Sequence, residues 1–582
     1  MHALKTLMKC IREYKKQTIL SPLFIALEVL IEVMIPFITA KLIDSIEAQA
    51  AISEIAKHGG VLVLLAALSL TCGALSGHFC AVASSGFAKN LRHDLFHKVQ
   101  DFSFSNIDKF STSSLVTRLT TDVTNVQNSF MMVIRTAVRS PMMIIFSVIM
   151  TIQISKKLTL IFLTTIPFLI VGVTFIMKKV MPFFRKIFKK YDALNNSIQE
   201  NISGIRAVKS FVREDYEKQK FGKASDEVCD NFTTADKLLA FTSPIMQSAI
   251  YVVMILICYV GAKTIISSGN TELTVGGLSS VMTYGMQVLM SLLMVSMIFV
   301  MISMSVTAAN RIVEVLEEEG TIKNPENPVM QVKDGSISFE NVSFAYSSTA
   351  ERKTLENINL TINSGETVGI IGATGSSKTS LIQLISRLYD VNDGSVKVGG
   401  IDVKEYDVRT LRDAVSVVLQ KNVLFSGTVS ENLRWGNKDA TDEEIRHACK
   451  LAQADEFVSA MPDGYNTMIE RGGTNVSGGQ KQRLCIARAL LKKPHILVLD
   501  DSTSAVDTKT DALIRKAFRD EIPDTTKIII AQRISSVQEA DKIIVMDNGT
   551  VNGVGTHDEL LATNEIYREV FETQTKAGDF DD

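Results

Sequence analysis

The sequence predicts a helical membrane domain followed by a separate α/β domain. The chain has 582 residues, too many for one ordinary domain, and 46% of them are hydrophobic. Apolar stretches long enough to cross a bilayer fill the first half of the chain and are absent from the second. From about Ile337 onward, short β-rich runs alternate with helix-like segments, which is the pattern of an α/β domain.

The first half contains six apolar stretches, each long enough to supply the roughly 20 residues that a transmembrane helix needs. We expect these spans at 18–43, 59–83, 131–154, 158–180, 241–265 and 278–304. Lys and Arg are frequent in the long segments 89–118 and 178–237 and rare in the connections on the other side. By the positive-inside rule the charged segments and both chain ends lie in the cytoplasm, so a multi-pass protein of the cell membrane is expected.

The expected boundaries divide the chain into four parts. These are a transmembrane domain at 1–315, a linker at 316–334, an α/β domain at 335–570 and a polar tail at 571–582. The linker loses apolar periodicity and carries Pro325 and Pro328. Residues 1–17 set apolar side chains against lysines and arginines, which favours an amphipathic helix on the inner membrane surface over a solvated basic leader.

Composition argues against two other classes of site. The formal net charge of -2 gives no reason to expect nucleic acid, because nucleic-acid binders carry a strongly basic face. The seven cysteines are scattered and odd in number, so free thiols are predicted rather than a disulfide or metal framework.

A phosphate-binding loop is predicted between a strand-like run and a helix-like run. The strand-like segment 366–371 leads into Gly372-Ala-Thr-Gly-Ser-Ser-Lys-Thr379, and a helix-like segment begins at Ser380. In such a loop, backbone N–H groups hold phosphate oxygens, Lys378 adds a positive charge and Thr379 offers a hydroxyl to Mg²⁺. The residues assigned to nucleotide binding here are Gly372, Ala373, Thr374, Gly375, Ser376, Ser377, Lys378, Thr379 and Ser380.

A second motif, Asn475-Val-Ser-Gly-Gly-Gln-Lys-Gln-Arg483, precedes the apolar run Ile496-Leu-Val-Leu-Asp-Asp501. With the phosphate loop upstream, in this order and spacing, the chain resembles an ATP-binding cassette (ABC) exporter half-transporter over essentially its whole length. The resemblance implies a type IV exporter architecture, in which six transmembrane helices are fused to an α/β P-loop nucleotide-binding domain. It also implies ATP and Mg²⁺ as ligands and short coupling helices, which we expect near 111–118 and 200–207.

The resemblance assigns roles to further residues. Tyr346 matches the aromatic residue that stacks on adenine, although a tyrosine that ends a half-buried strand fits the same pattern. Asp500 and Gln420 match the Mg²⁺ ligands that accompany Thr379. Residues 504–507 match a loop that contacts the dimer partner. The signature, which in the family closes over the ATP bound to the other subunit, is matched by Ser477, Gly478, Gly479 and Gln480.

Val476 replaces the usual leucine of the signature, a conservative apolar change, and three further departures from the family pattern bear on the chemistry. Ser377 replaces a glycine before the lysine, which costs about 1 kcal/mol if that position needs a left-handed backbone. Asp501 replaces the glutamate that polarises the attacking water, and its shorter side chain withdraws the carboxylate by roughly 1 Å, which lowers the rate by about 10²-fold. Gln532 replaces the switch histidine, and losing one such transition-state contact lowers the rate by about 10²–10³-fold.

Asp501 and Gln532, at the catalytic positions, together predict a degenerate site that binds ATP and hydrolyses it poorly. The nearly intact signature serves the partner's ATP, so the chain resembles one subunit of a bacterial heterodimeric multidrug exporter, whose second half-transporter has the glutamate and the histidine. The alternatives are a regulatory partner of a catalytic half-transporter, and a homodimeric lipid or peptide flippase in which both substitutions are harmless. Membrane sequence begins near Thr18, so an N-terminal domain that cleaves leader peptides is not expected.

The membrane half offers two candidate features of a cavity for small amphipathic substrates. Methionines recur at spacings of three or four in the last span, where they form either an adaptable cavity surface or ordinary helix packing. They are Met282, Met286, Met290, Met294, Met297 and Met301. Glu28 and Glu32 lie four apart in the first span and face either a cationic substrate or two arginines of the third span, Arg135 and Arg139.

Overall fold

The computed structural model describes residues 2–347, 352–502 and 506–578. It divides into two compact units. The first comprises Met1–Gln100 and Thr112–Glu318, and the second comprises Asp101–Ser111 and Glu319–Asp582. The described residues of the first unit form only helices, whereas all of the described strands belong to the second unit.

Long helices build the first unit. They are Lys15–Glu47, Ile52–Gln100, Val123–Ile134, Thr136–Ile154, Lys156–Ser203, Glu214–Ala240, Thr242–Ser268 and Val275–Glu317. Shorter helical segments are His2–Met8, Lys9–Tyr14, Thr112–Thr117, Arg118–Asp122 and Ile205–Ser210.

Five stretches of the described residues are long and apolar enough to cross a membrane. They are His2–Glu47, Ile52–Gln100, Thr112–Ile154, Gln247–Ser268 and Val275–Phe299. The predicted span at 158–180 lies in the helix Lys156–Ser203, where several side chains fall outside the described residues, so this span stays a prediction.

The first and last membrane helices of this unit pack closely against each other. A Cβ added at Gly276 would lie 2.2 Å from the Ala40 carbonyl oxygen, so only glycine allows this approach. The fully buried Tyr284 donates a hydrogen bond to the Val33 carbonyl oxygen at 2.7 Å. Such bonds satisfy polar groups where lipid offers no partner. The packing therefore places the methionine-bearing helix beside the helix that carries Glu28 and Glu32.

Among the described residues, the second unit has twelve strands in three sheets. The strands are β1 (Ile337–Phe344), β2 (Leu355–Ile362), β3 (Thr367–Gly372), β4 (Asp393–Val398), β5 (Ile401–Asp402), β6 (Val415–Val418), β7 (Gly427–Thr428), β8 (Met468–Ile469), β9 (Ile496–Asp500), β10 (Thr526–Ile530), β11 (Lys542–Asp547) and β12 (Thr550–Gly555). The sheet orders are β2-β1-β4-β5, β12-β11-β3-β10-β9-β6 and β7-β8.

The six-stranded sheet positions the site. Its strands β11, β3, β10, β9 and β6 pair in parallel, and β12 is an antiparallel edge. Because the carboxyl ends of parallel strands meet at one edge, the residues that follow β3, β6, β9 and β10 converge there. These residues include the phosphate loop, Gln420, Asp501 and Gln532.

Helices flank these sheets. They are Phe104–Lys109, Lys378–Ile385, Val408–Ala414, Val429–Arg434, Asp442–Leu451, Asp455–Ser459, Gly478–Leu491, Thr508–Glu521, His557–Thr563 and Glu565–Gly578, with single turns at Gly464–Asn466 and Ile534–Ser536. Apolar side chains from β9 and β10 are buried on both faces of the six-stranded sheet, which gives this unit two large apolar clusters.

The first coupling helix, expected near 111–118, stays a prediction, and two short helices lie in that neighbourhood. The short helix that packs within the second unit is Phe104–Lys109, and Tyr389 donates a hydrogen bond to its Asp108 carboxylate at 2.6 Å. Within the predicted range 111–118, Thr112–Thr117 belongs to the first unit. Both segments are short and polar, so only the contact with Tyr389 distinguishes them. The second predicted position, 200–207, covers the start of the short helix Ile205–Ser210.

Candidate nucleotide-binding site

The phosphate loop joins β3 to the helix Lys378–Ile385. A Cβ at Gly372 would lie 2.3 Å from the Met546 carbonyl oxygen, so a larger residue requires a shift. The Lys378 ammonium donates to the carbonyl oxygens of Gly372 at 2.7 Å and Ala373 at 2.9 Å, and to the Ser376 hydroxyl at 3.2 Å. Thr374 and Gly375 complete the turn. The loop gathers backbone N–H groups, a helix N-terminus and a cation, and together these suit phosphate oxygens.

Ser377 adopts the backbone conformation that makes serine unfavourable there. Its φ is 72° and its ψ is 21°, within the left-handed region. Gly375 in the same loop has a φ of 87°, and glycine adopts such angles without a steric penalty. The serine therefore stores strain of about 1 kcal/mol next to the lysine.

Two oxygen-bearing side chains beside the loop fit a divalent cation. The Thr379 hydroxyl donates to the Asp500 carboxylate oxygens at 3.0 and 3.3 Å, and Asp500 is only 3% exposed. Burial raises the pKa of Asp500, as does the neighbouring charge of Asp501, and a cation at this carboxylate would relieve both effects. Thr379, Asp500 and the amide oxygen of Gln420 are oxygen ligands of the type that Mg²⁺ takes. These residues would hold Mg²⁺, which would supply positive charge to offset that of the phosphates.

Burial shifts the pKa of Lys378 in the direction opposite to that of Asp500. Burial lowers the pKa of Lys378, whereas the charges of Asp500 and Asp501 act to raise it. Its ammonium is thus held by the loop carbonyls and the Ser376 hydroxyl in a partly desolvated position, within the electrostatic influence of the two carboxylates. A phosphate that approached this position would meet a cation with little water around it, which strengthens the attraction.

Asp501 and Gln532 contact each other directly. The Gln532 amide donates to the Asp501 carboxylate at 2.8 Å, and the Gln420 amide approaches the same oxygen at 3.4 Å. Asp501 is 9% exposed, has a φ of 47°, and its N–H donates to the Ile530 carbonyl oxygen at 3.0 Å. The backbone of Asp501 is therefore fixed at the ends of β9 and β10, and its carboxylate is engaged by amides.

Tyr346 lies at the edge of the site with 48% of its surface exposed. Its hydroxyl is 2.8 Å from the Ser380 hydroxyl and donates to the Gln383 side chain at 3.0 Å. The ring is therefore tied to the helix that follows the phosphate loop and keeps an open face, which is the geometry that base stacking needs. Sequence reasoning missed Tyr389, whose ring packs edge-on against Tyr346 with centroids 5.1 Å apart.

The signature forms the start of the helix Gly478–Leu491. Ser477 is the N-cap: its side chain accepts from the Gln480 N–H at 3.3 Å, and the Gln480 side chain accepts from the Ser477 N–H at 3.0 Å. Ser477 and Gly478 are exposed, and Gly479 is half-buried. This capped, exposed N-terminus of a 14-residue helix suits an anion on another molecule. In the predicted 504–507 loop, Ser504 and Ala505 lie outside the described residues.

Comparison with known proteins decides the family. The family described as ABC transporter transmembrane region matches residues 18–306, and the family described as ABC transporter matches residues 355–504. The uncharacterized ABC transporter ATP-binding protein YfiB of Bacillus subtilis is 36% identical over 547 residues, which are 94% of this chain and 94% of that protein. The chain belongs to the ABC transporter family.

A second relative and a solved structure agree with this assignment. A fatty acid ABC transporter ATP-binding/permease protein of Mycobacterium bovis is 32% identical over 480 residues, 82% of this chain and 75% of that protein. The structure of a bacterial Atm1-family ABC exporter with ATP bound superposes with a TM-score of 0.83 over 97% of this chain and 98% of that chain, at 24% identity, so it shows the fold. The protein is a multi-pass membrane ABC exporter with a cytoplasmic nucleotide-binding domain, a domain type that binds ATP and couples its hydrolysis to transport.

In this ABC transporter the intramembrane carboxylates pair with one arginine. Arg139 forms an ion pair with Glu28 and a second with Glu32, the latter at 2.6 Å. Arg135 lies instead near Gly77, where a Cβ would be 3.8 Å from its guanidinium. The structure thus brings both glutamates together, with Arg139 as their shared partner.

The methionine face divides into two parts. Met282 is half-buried against the core of the helical unit, and Met301 is half-buried too. The methionines between them expose 37–58% of their surface in this chain; these are Met286, Met290, Met294 and Met297. Packing within the subunit therefore does not account for that middle part of the face.

Proposed function

We propose that this ABC exporter is one subunit of a heterodimer that moves amphipathic or hydrophobic compounds, including drugs, out of the cell. Its own site binds ATP with Mg²⁺ and hydrolyses it slowly. A partner half-transporter with a catalytic glutamate and a switch histidine contributes the fast site. Two ATP molecules close the nucleotide-binding domains, the cavity turns outward, and hydrolysis resets the cycle.

The contact between Asp501 and Gln532 carries this proposal. An aspartate at the end of β9 reaches roughly 1 Å less far than a glutamate, and such a displacement lowers a rate by about 10²-fold. The amide 2.8 Å away accommodates the short side chain but cannot carry a proton or a positive charge. The two side chains therefore bond well to each other. They lack the reach and the charge that fast ATP hydrolysis needs.

Two exposed apolar surfaces support a partner subunit. The intracellular tip of the helical unit exposes Phe211 by 77% and Val212 by 81%. On the nucleotide-binding domain, Trp435 is 65% exposed and stacks on Phe425 with ring centroids 4.2 Å apart. Exposed apolar patches of this kind mark protein contacts, and a second half-transporter would cover both. The exposed, capped Ser477 supplies the matching phosphate contact to that partner.

The membrane unit supports an apolar substrate more than a cation. Arg139 engages both Glu28 and Glu32, so their charges are already compensated in part. The exposed methionines offer a polarizable surface that repacks around different apolar shapes. We therefore assign substrate contact to the middle of the methionine face and a structural ion pair to the glutamates.

A homodimeric lipid flippase is the second candidate, because one relative is named a fatty acid transporter. The test is to purify the full-length chain in lipid nanodiscs, alone and with a half-transporter encoded beside it, and to measure phosphate release. The heterodimer predicts feeble turnover by the chain alone and fast turnover by the pair. Robust turnover by the chain alone would overturn the heterodimer and support the homodimer.

A further inference from the structure

The helix Glu565–Gly578 holds the loop that follows β10 by its backbone. We propose that Gln574, on this helix, is a positioning residue that sets the direction of the Gln532 side chain in the nucleotide site. The inference rests on the proposed function and adds that the Gln532 amide contacts the terminal phosphate of bound ATP. It gives control of that contact to a helix that lies outside all of the nucleotide motifs.

One side-chain amide makes both contacts with the loop. The Gln574 Nε2 donates to the Gln532 carbonyl oxygen at 2.8 Å, and its Oε1 accepts from the Ile534 N–H at 2.9 Å. The two bonds bracket Arg533 and restrain the backbone on both sides of it. The Gln532 side chain then continues to the Asp501 carboxylate at 2.8 Å. Only Gln532 therefore stands between Gln574 and Asp501 in this chain of hydrogen bonds.

The position of Gln574 is itself set by two aromatic residues. Tyr567 is fully buried and its hydroxyl lies 2.7 Å from the His557 Nδ1. The Phe571 ring packs edge-on against the same histidine, with centroids 5.3 Å apart. Tyr567, Phe571 and Gln574 are four and then three residues apart, so they share one face of the helix. Docking of the aromatic residues thus delivers the amide to the loop.

This arrangement predicts a selective effect on nucleotide binding. Without Gln574, the Gln532 carbonyl and the Ile534 N–H lose a fixed partner, and the backbone angles that aim the Gln532 amide are no longer restrained. Among the described residues, the hydrogen bonds of Lys378 run to the phosphate loop and those of Tyr346 to the helix that follows it, not to the helix Glu565–Gly578. Loss of Gln574 should therefore weaken the binding of ATP, which has the terminal phosphate. The binding of ADP, which lacks it, should remain almost unchanged.

The experiment uses two isosteric variants of the full-length chain in nanodiscs. Gln574→Met keeps the length of the side chain and removes both hydrogen bonds, whereas Gln574→Glu keeps the acceptor for Ile534 and removes the donor to Gln532. Thr573→Ala is the matched control, because it removes only a bond within the helix, to the Glu569 carbonyl oxygen. Hydrogen exchange of the peptide that contains Ile534 and the affinities for fluorescent ATP and ADP are measured for each.

We expect Gln574→Met to accelerate exchange of that peptide by up to about tenfold, the usual effect of one lost hydrogen bond. It should also lower the ratio of ATP to ADP affinity in the same direction as Gln532→Ala. Combining Gln574→Met with Gln532→Ala should not lower the affinity ratio further, because Gln574 acts on the nucleotide through Gln532. Gln574→Glu should keep the slow exchange and still lower the ratio, and Thr573→Ala should behave like wild type.

Three results would overturn the inference. Unchanged exchange in Gln574→Met would show that the amide does not restrain the loop. A full further fall in the double variant would show that Gln574 acts independently of Gln532. An unchanged affinity ratio in Gln532→Ala would remove the proposed phosphate contact, and the positioning role with it, while the exchange result would still report on the loop by itself.

Discussion

Restoring the family residues at the nucleotide site should recover fast hydrolysis only when two positions are changed together. Asp501→Glu moves the carboxylate outward by roughly 1 Å, a distance that is worth about 10²-fold in rate. Gln532→His returns a side chain that can carry charge, and one such contact is worth about 10²–10³-fold. The two positions lie in direct contact at 2.8 Å, so their effects are not additive.

The contact determines how the single variants behave. The Gln532 amide occupies the space next to the Asp501 carboxylate. We therefore expect the longer side chain of Asp501→Glu to contact this amide before its carboxylate can reach the attacking water. We therefore expect each single change to raise turnover by less than about tenfold, while the double change raises it by at least about 10²-fold.

The assay measures phosphate release by the assembled transporter with the catalytic glutamate of the partner replaced by glutamine, so that only this chain's site turns over. Lys378→Ala added to the double variant is the control, and it should abolish the gain. A single Asp501→Glu variant as fast as the double variant would refute the reasoning, because it would show that Gln532 does not limit the site.

Three further predictions follow from the site and the membrane unit. Ser377→Gly should relieve the left-handed strain at φ 72° and tighten ATP binding by up to about fivefold in a fluorescent-nucleotide titration, and weaker binding would contradict the strain. Ser477→Ala should depress the ATPase rate of the pair more than Lys378→Ala does, because Ser477 faces the fast site; equal or reversed losses in complexes of normal assembly would reject that assignment of sites. Alanine at three exposed methionines should change the relative transport of several apolar compounds and leave basal ATPase and thermal stability nearly unchanged; a loss of stability of about 2–5 kcal/mol for each, with substrate preference intact, would assign them to packing. These residues are Met286, Met290 and Met297.

The fold and the nucleotide motifs were predictable because their signals are local. The phosphate loop and the signature are contiguous in sequence, and each needs only a neighbouring strand or helix to take its shape. The left-handed conformation of Ser377 follows from the glycine that the family pattern has there. Such positions are read from a few adjacent residues, and the structure places the phosphate loop at the edge of the six-stranded sheet where β3 ends.

The contacts that the sequence missed join residues far apart in the chain. The bond between Asp108 and Tyr389 spans 281 residues, and the bond between Gln532 and Gln574 spans 42. No periodicity connects such pairs, so only the tertiary structure shows them. In the membrane unit the residue types left a cationic substrate and the two arginines of the third span as alternative partners of the glutamates, and only tertiary packing determines that Arg139 takes both.

The most direct test of the central claim is a single-turnover experiment on the assembled transporter loaded with radiolabelled ATP. The account predicts two phases: ATP at the partner's site becomes ADP quickly, while about half of the bound nucleotide stays as ATP for many turnovers of the fast site. Crosslinking of an azido-ATP analogue should assign the retained ATP to the site that contains Lys378 and Tyr346. Conversion of all bound ATP in one fast phase would contradict the account, because both sites would then hydrolyse at the same rate.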